Sequence, residues 1–257
     1  DGPDHVWSAA PASRVGGGSG CPCCCGRQPS VTNRLDVLFP ALAAQWHPSK
    51  NGDLTPEDVV ATSHVQAWWR CPEGPDHVWR TQVPLRTQRG FGCPMCSGRQ
   101  LSVTNSFAAK CPEGVHLWHP TLNGDVTPHD VLAGTSTEYV WRCPKAHDHV
   151  WRRAPLLIMR AHAVGNTGCP YCQGLRPSIS NSVSSHPQLA AEWHPKKNGG
   201  LTADQVVAGT SRKHWWQCLT NPAHEWPSTG ANRLRGNGCP HCTTSLRSTL
   251  EICLAYE

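Results

Sequence analysis

The sequence lacks any long apolar segment. No run of apolar side chains among its 257 residues approaches the roughly 20 that a membrane-spanning helix needs. A signal peptide, in which an apolar stretch follows a positively charged start, is not visible either. We therefore expect no membrane partner and no secretion. A leader that has been removed stays an open alternative, because the chain is expected to begin inside a repeat.

The chain also lacks a strong net charge and a recognisable catalytic motif. Lys and Arg number 23 against 18 Asp and Glu, so the formal charge of +5 is only a weak indication of a polyanionic partner. His47, His119 and His194 each stand between a Trp and a Pro, but no carboxylate pair, Ser–His pairing or phosphate-binding loop accompanies them. We interpret these histidines as groups that satisfy a helix end or the neighbouring Trp, and we expect no enzyme in this segment.

Cysteine, in contrast, is abundant and regularly spaced. Five residues separate Cys71 from His77, a spacer of fifteen follows, and Cys93 and Cys96 form a Cys-x2-Cys pair. Three thiolates and one imidazole can complete a tetrahedral shell around Zn2+, which leaves no position for a reactive water molecule. The order recurs, so the predicted zinc ligands form three complete sets and a partial one: Cys71, His77, Cys93, Cys96; Cys143, His149, Cys169, Cys172; Cys218, His224, Cys239, Cys242; and His5, Cys21, Cys24.

The ligand sets repeat at a nearly constant interval. His5, His77, His149 and His224 follow one another at 72, 72 and 75 residues. A hydrophobic core of that size is marginal on its own, whereas a structural zinc site contributes on the order of 10–16 kcal/mol in isolated fingers. We predict small α+β zinc-stabilised modules in tandem, each a β-hairpin with two metal-binding knuckles and a preceding helix, whose folding depends on the metal.

The cysteine content bears on the cellular compartment. Fifteen cysteines would also suit a secreted disulfide scaffold, but the fixed His beside each Cys-x2-Cys pair favours metal. Thiolate ligands indicate a reducing compartment, which is the cytoplasm, the nucleus or an organelle matrix such as that of the mitochondrion. Each Cys3His site with its Zn2+ carries about −1, so three complete sites lower the charge of the metallated chain to roughly +2.

The repeats predict four modules and a tail. Residues 1–25 form a partial module, residues 26–98, 99–174 and 175–242 form full modules, and residues 243–257 form a tail that could begin a further domain. The opening DGPDHVW matches EGPDHVW in the second module, which places the missing first Cys two residues before Asp1. Cys23 or Cys25 could substitute for that ligand, and Cys253 in the tail is interpreted as a core residue.

The module at 26–98 predicts the secondary structure of the others. Asn33 is expected to cap a helix that ends before Pro48, and Thr55 is expected to cap a short second one. The segments VQAWWRC and HVWRTQV are interpreted as two strands joined by the first knuckle, and PLRTQRGFG as a loop that leads to the second. The apolar residues that share one face of the first helix are Leu35, Leu38, Phe39, Leu42, Ala43 and Trp46.

The module at 99–174 departs from this pattern. The sequence CPEG at Cys111 is expected to break its helix, because Pro and Gly disfavour helix interiors. Cys111 and His116 imitate the opening of a zinc motif, but no Cys-x2-Cys pair remains to complete it, so we interpret both as non-ligands. His147 competes with His149 as the imidazole ligand, and His149 is preferred because it keeps the spacing.

The twelve tryptophans and the arginines recur at equivalent places. Repetition of the Trp positions favours core packing over base stacking, although Trp68 and Trp215 lie off this register and are candidates for a surface contact. Arginines that gather near the knuckles are either ordinary solvated charges or phosphate contacts, which position a nucleic acid without reading its sequence. The candidate nucleic-acid contacts are Arg14, Arg70, Arg80, Arg86, Arg89, Arg142, Arg152, Arg160, Arg233 and Arg235.

Four motifs together carry a family resemblance over nearly the whole chain. GCPMCSGRQLSVTNS, LAAEWHP, NGDLTPEDV and WWRCPEGPDHVW resemble the tandem treble-clef or zinc-ribbon repeats that occur in bacteria and eukaryotes. The resemblance implies zinc at the Cys and His positions above, and nucleic-acid binding. It also implies that in some bacterial members a restriction-type nuclease domain follows the last repeat. The missing first Cys, the extra Cys23 and Cys25, and the break at Cys111 depart from the family pattern.

We predict a non-catalytic zinc-binding repeat protein that acts as a nucleic-acid-binding scaffold. The expected helix carries few basic residues, which is unlike a helix that reads the major groove and favours structured RNA over DNA. A large ribonucleoprotein, such as a ribosome or its assembly intermediate, is the expected setting, with its neighbouring proteins as further partners. The alternatives are a DNA-targeting array for a nuclease domain outside this segment and a protein-interaction adaptor.

Overall fold

The structure, a computed structural model, describes residues 2–15 and 20–242. The predicted tail at 243–257, with Cys253, lies outside the described residues. Backbone contacts divide the chain into two compact units, Asp1–Lys110 with Pro128–Gly134 and Cys111–Thr127 with Thr135–Glu257. In the part of the chain that the structure describes, no helix has both the length and the apolar character that crossing a membrane requires.

The strands of the described residues form three separate antiparallel hairpins. The strands are β1 (Gln66–Arg70), β2 (Val78–Gln82), β3 (Tyr139–Arg142), β4 (Val150–Arg153), β5 (Lys213–Gln217) and β6 (Glu225–Thr229). The α-helices are α1 (Pro11–Val15), α2 (Leu35–Leu38), α3 (Pro40–Ala43), α4 (Val83–Thr87), α5 (Phe107–Lys110), α6 (Pro155–Ala163), α7 (Pro187–Ala191) and α8 (Gly230–Leu234). Short 3-10 helices lie at Pro56–Asp58, Pro112–Leu117, Val183–Ser185 and Ala203–Gln205.

Each hairpin is centred on two tryptophans that face each other. Trp69 of β1 lies opposite Trp79 of β2, and the other two hairpins have Trp141 opposite Trp151 and Trp216 opposite Trp226. Because strand side chains alternate between faces, both rings of a pair lie on the inner face, and all six rings are buried. The burial supports the core interpretation of these tryptophans.

A third tryptophan packs against each pair from the segment that follows the helices. Trp46 pairs with Trp69 through an isolated bridge, and their ring centroids lie 5.3 Å apart with the rings nearly perpendicular. Trp118 and Trp193 occupy the same position in the other two modules, at 5.0 Å and 5.4 Å. Edge-to-face packing of this kind is favourable, so three indoles form the centre of each small core.

The helix predicted after Asn33 is two short helices. Phe39, with φ −136° and ψ 62°, is not helical, and α3 begins at Pro40. Proline has no backbone N–H and its ring clashes with the carbonyl one turn earlier, so it ends the first helix and begins the second. The break recurs at Pro112 and Pro187. The expectation that the module at 99–174 alone is interrupted is therefore wrong.

Asn33 does not cap α2, whose N-cap residue is Arg34 without a side-chain hydrogen bond. The side chain of Asn33 instead accepts a hydrogen bond from the backbone N–H of Ser30 at 2.7 Å and donates to the carbonyls of Cys23 and Gln28 at 2.8 and 2.9 Å. The predicted cap is wrong, and the residue ties the knuckle to the segment after it. Asn105 and Asn181 make the corresponding bonds in their modules.

Other local predictions have mixed outcomes. The two strands of the second module are confirmed, and Thr55 caps its 3-10 helix through a reciprocal capping box with Asp58. The segment after β2, which was predicted as a loop, contains helix α4. Pro84 lies in the first turn of this helix, where proline is favoured. The modular α+β architecture with short hairpins agrees with the prediction.

Candidate metal centre

The four predicted ligand sets each converge on one point. In every set the sulfur atoms and the imidazole nitrogen lie within 4.8 Å of one another. In the second module, for example, Cys71 directly follows β1 and His77 directly precedes β2, while Cys93 and Cys96 come from the second knuckle. The hairpin brings the first two ligands together, because the backbone N–H of Cys71 donates to the carbonyl of His77 at 2.9 Å.

The spacing between the donor atoms fits zinc. With Zn–S near 2.3 Å and Zn–N near 2.0 Å, the edges of a regular tetrahedron are about 3.5–3.8 Å. The sulfurs of Cys71 and Cys96 lie 3.7 Å apart, and the sulfurs of Cys93 and Cys96 lie 3.6 and 3.4 Å from Nδ1 of His77. The other complete sets show sulfur–sulfur distances of 3.7 Å and sulfur–nitrogen distances of 3.6–3.7 Å. Three complete Cys3His sites therefore fit zinc.

The partial first site has the same geometry with one ligand fewer. The sulfurs of Cys21 and Cys24 lie 3.6 and 3.3 Å from Nδ1 of His5. Cys23 is buried at the position that Met95 occupies one module later, and Cys25 is exposed with its thiol directed to the carbonyl of Pro22. Neither belongs to a ligand set of the described residues.

The remaining cysteine and histidine candidates lie apart from these sets. Among the described residues, none of the four sets includes Cys111, His116 or His147. Cys111 is buried at the break between α5 and the following 3-10 helix, so it replaces Phe39 of the preceding module as a core residue. None of the described cysteines forms a disulfide.

The pKa values of the clustered thiols bear on how these centres take up a divalent cation. Burial, together with the neighbouring sulfurs of Cys71 and Cys93, raises the pKa of Cys96 to about 12. Burial likewise raises the pKa of Cys172 to about 12, whereas the backbone N–H of Asn221 lowers that of Cys218 to about 7. A thiol whose pKa is raised, such as that of Cys96 or Cys172, keeps its proton until a bound cation displaces it, and a structural zinc ion would do so.

Three of the four imidazole ligands, those of His5, His77 and His149, are held by hydroxyl groups behind the metal centre. Nδ1 of His77 faces the sulfurs, and its Nε2 lies 2.9 Å from Oγ of Ser102 and 2.8 Å from Oγ1 of Thr104. His5 makes the same two contacts with Ser30 and Thr32, and His149 makes them with Ser178 and Ser180. Such partners orient a metal-bound imidazole and fix which nitrogen carries the proton. These hydroxyl partners were not predicted from the sequence, although their spacing of six and eight residues after the last Cys of each set recurs.

An aspartate before each of these histidines reinforces the arrangement. Asp76 accepts from Oγ of Ser102 at 3.0 Å and from the backbone N–H of Val103 at 2.9 Å, and the latter bond lowers the pKa of Asp76. Asp4 and Asp148 accept the corresponding backbone N–H groups. The contacts cross the predicted boundaries at 25/26, 98/99 and 174/175, so each of these three metal centres is tied to the start of the next repeat. The boundaries themselves stay predictions.

Arg86 and Arg233, predicted as nucleic-acid contacts, are buried. The guanidinium of Arg86 lies 4.7 and 5.0 Å from the ring centroids of Trp69 and Trp79, and Arg233 is placed in the same way between Trp216 and Trp226. Burial lowers the pKa of Arg86, while the nearby sulfurs of Cys93 and Cys71 oppose this shift. A group with 5–6% exposure cannot reach a phosphate, so for these two arginines the predicted role is wrong and the side chains belong to the core.

The other arginines that were predicted as contacts are exposed: Arg14, Arg70, Arg80, Arg89, Arg142, Arg152, Arg160 and Arg235. His47, His119 and His194 have a structural role, because Nδ1 of each accepts two backbone N–H groups of the turn that follows. This is close to the predicted helix-end role, although the bonds go to a turn.

The comparison with protein families agrees with this geometry. The model of a family described as a probable treble clef zinc finger domain matches residues 42–99, 115–175 and 189–245, which is more than half of the chain. Each matched segment contains one complete Cys3His set. No curated protein matches the chain closely enough to be compared with it. With three matched repeats and a tetrahedral donor set in each, the chain belongs to the treble-clef zinc finger domain family.

Proposed function

We propose that the chain is a non-catalytic scaffold that binds nucleic acid, with structured RNA preferred over DNA. The observation that supports this is the pair of arginines on the outer face of two successive hairpins. Arg70 and Arg80 lie on the face of β1 and β2 opposite the buried tryptophans, and Arg142 and Arg152 occupy the equivalent positions on β3 and β4.

These four guanidinium groups are available to a partner. All four are exposed, and within the described residues none has a carboxylate at ion-pair distance. Arginine matches phosphate geometry through parallel N–H donors, so each hairpin presents two phosphate-binding groups on a rigid support. Rigid units with such groups would position a polyanion by its shape and backbone.

The helices support the preference for RNA. The α-helices of the described residues are four to nine residues long. The paired exposed arginines of this proposal stand on hairpins, whereas sequence-reading DNA-binding modules place a helix in the major groove. Contacts from hairpins to phosphate and sugar suit the shape recognition that folded RNA requires. Membership of a large ribonucleoprotein, such as a ribosome or its assembly intermediate, remains part of this proposal.

The test is the salt dependence of binding to a folded RNA hairpin. The affinity for RNA falls as salt rises. Replacing Arg70 and Arg80 with Gln should make the slope of log K against log[salt] less steep by about 1.4 to 1.8, because two phosphate contacts are lost. The double variant Arg142→Gln with Arg152→Gln should do the same. The matched control is Arg27→Gln with Arg176→Gln, which removes the same charge from exposed positions outside the hairpins.

Three results would contradict the proposal. An affinity for RNA that does not respond to salt would contradict phosphate contacts, and a salt-independent complex with a protein would favour the adaptor. A control variant that lowers the slope as much as the hairpin variants would show that the charge has no preferred location. Binding to duplex DNA as tight as to folded RNA would remove the RNA preference and support the DNA-targeting alternative.

A further inference from the structure

The outer face of the β1–β2 hairpin carries an aromatic ring among cations. Trp68 alternates with the buried Trp69, so it lies on the outer face and is half-buried. Arg80 is directly opposite Trp68 in the register, and Arg70 follows two residues later on the same strand face. We call Trp68, Arg70, Arg80 and Lys50 the Trp68 face.

Lys50 completes this face from the turn before the hairpin. Its Nζ lies 4.7 Å from the centroid of the Trp68 ring, which is the range of a cation–π contact. The indole N–H groups of Trp46 and Trp69 donate to carbonyls of their own module at 3.0 and 3.2 Å. Within the described residues no acceptor receives the indole N–H of Trp68. The ring therefore has a polar edge and an apolar surface that its own module does not use fully.

The other two hairpins do not combine these features. Val140 stands in place of Trp68 on β3, and it is buried. Trp215 stands there on β5 with Lys197 at 4.8 Å from its ring, but Pro227 lies opposite it and Lys197 is ion-paired with Glu225. A half-buried outer-face indole beside two exposed arginines thus distinguishes the β1–β2 hairpin from its repeats.

We propose that the Trp68 face binds an unpaired segment of RNA, with one base stacked on Trp68 and the flanking phosphates on Arg70 and Arg80. This inference rests on the proposed function and deepens it. Every base has a π-face, so stacking on an aromatic side chain needs no sequence, while cations beside the ring hold the backbone. Folded RNA exposes such bases in loops and bulges, whereas the bases of a duplex stay stacked on one another. The β3–β4 hairpin, which has the arginines but Val140 in place of the outer-face indole, contacts phosphate alone.

The experiment compares two ligands of equal charge on the zinc-loaded full chain. One is a fluorescein-labelled oligouridylate of about 12 nucleotides, and the other is a ribose-phosphate strand of the same length without bases. Fluorescence anisotropy should give an affinity about tenfold lower for the strand without bases, since one base–aromatic stack is lost. Trp68→Val, which installs the residue of the next module, should lower the affinity for oligouridylate to the same level.

Further variants separate stacking from folding. Trp68→Phe should keep most of the affinity, because a phenyl ring still offers a π-face, and Trp215→Ala should leave it unchanged. The content of bound zinc and the hydrogen exchange of the hairpin show whether each variant is folded. If the Trp68→Val variant does not fold, the comparison of the two ligands on the unaltered chain decides the question.

The results distinguish the two proposals. If the unaltered chain binds both strands equally and with a steep salt dependence, the stacking inference is overturned while phosphate binding stands. If it binds neither strand nor folded RNA, the proposed function fails as well. If an oligodeoxythymidylate of the same length binds as tightly as oligouridylate, the assignment to RNA is overturned.

Discussion

Nη2 of Arg86 donates to Oε1 of Gln45 across 2.8 Å within the core of its module. The equivalent pair in the last module is Arg233 with Glu192, and in the module between them the two positions hold Ile158 and Leu117, both of them buried. The two positions are therefore both polar in two modules and both apolar in the third, so they change together. Because a Cys3His zinc site carries about −1, a buried guanidinium beside it also offsets charge.

This relationship predicts the outcome of exchanging the pair. Arg86→Ala should destabilise the β1–β2 hairpin by about 2–4 kcal/mol, since it empties the space between two indoles and leaves Gln45 without its donor. Arg86→Ile with Gln45→Leu, the pair of the next module, should restore much of this loss. The measurement is hydrogen exchange of β1 and β2 amides, because a chain of several modules does not unfold in one transition. If the double variant is no better than Arg86→Ala, the two positions are not coupled.

A second prediction concerns the hydroxyl groups behind the zinc ligand His77. Ser102→Ala with Thr104→Val should weaken zinc binding at this centre by about 10- to 100-fold, because the imidazole loses the partners that orient it. Competition with a chromophoric chelator measures the change. Ser97→Ala is the matched control, since its Oγ donates to the carbonyl of Pro94 and does not face the imidazole. An affinity unchanged in the double variant would show that the hydroxyls only fill space.

A third prediction separates ligand cysteines from the others. Cys93→Ser should remove one zinc ion per chain and the protection of the β1–β2 hairpin, because a structural site contributes on the order of 10–16 kcal/mol. Cys25→Ser, an exposed cysteine outside every ligand set of the described residues, should change neither. Elemental analysis and hydrogen exchange report the two effects. Full zinc content in Cys93→Ser would remove Cys93 from the ligands.

A fourth prediction concerns pH. The pKa of Cys96 and that of Cys172 are raised to about 12, so at neutral pH the thiol form is favoured and an incoming zinc ion must displace the proton. Acid favours the proton, and zinc affinity should therefore fall as pH falls, by up to about tenfold per pH unit for each proton displaced. Chelator competition near pH 6 and near pH 8 measures this. An affinity that does not change between the two would contradict thiolate ligation.

The metal centres were predictable because their chemistry is local and repeated. Cys-x5-His and Cys-x2-Cys place the donors of a tetrahedral shell, and their recurrence in three complete sets at intervals of 72 to 75 residues shows that the spacing is not accidental. The strands and the capping box at Thr55 follow from patterns within a few residues. The model of the family and the converging donor atoms confirm the zinc-stabilised modules.

Other features depend on contacts between distant positions. Arg86 is buried because it packs against the rings of Trp69 and Trp79, which stand 17 and 7 positions before it in the sequence. The sequence alone does not show this, because only the folded hairpin brings the two rings together. Asn33 resembles a helix cap, but the knuckle that comes before it offers two carbonyls to its side chain. The break at Pro40 was predictable from the sequence, since Pro112 and Pro187 stand at the equivalent positions of the other two modules.

The most direct test of the account is the number of zinc ions held by the folded chain, measured by native mass spectrometry before and after chelation. We expect at least three ions per chain, and loss of the hairpins' hydrogen-exchange protection when the chelator removes these ions. A folded chain that carries no zinc, or one whose ligand sulfurs are joined in disulfides, would contradict it.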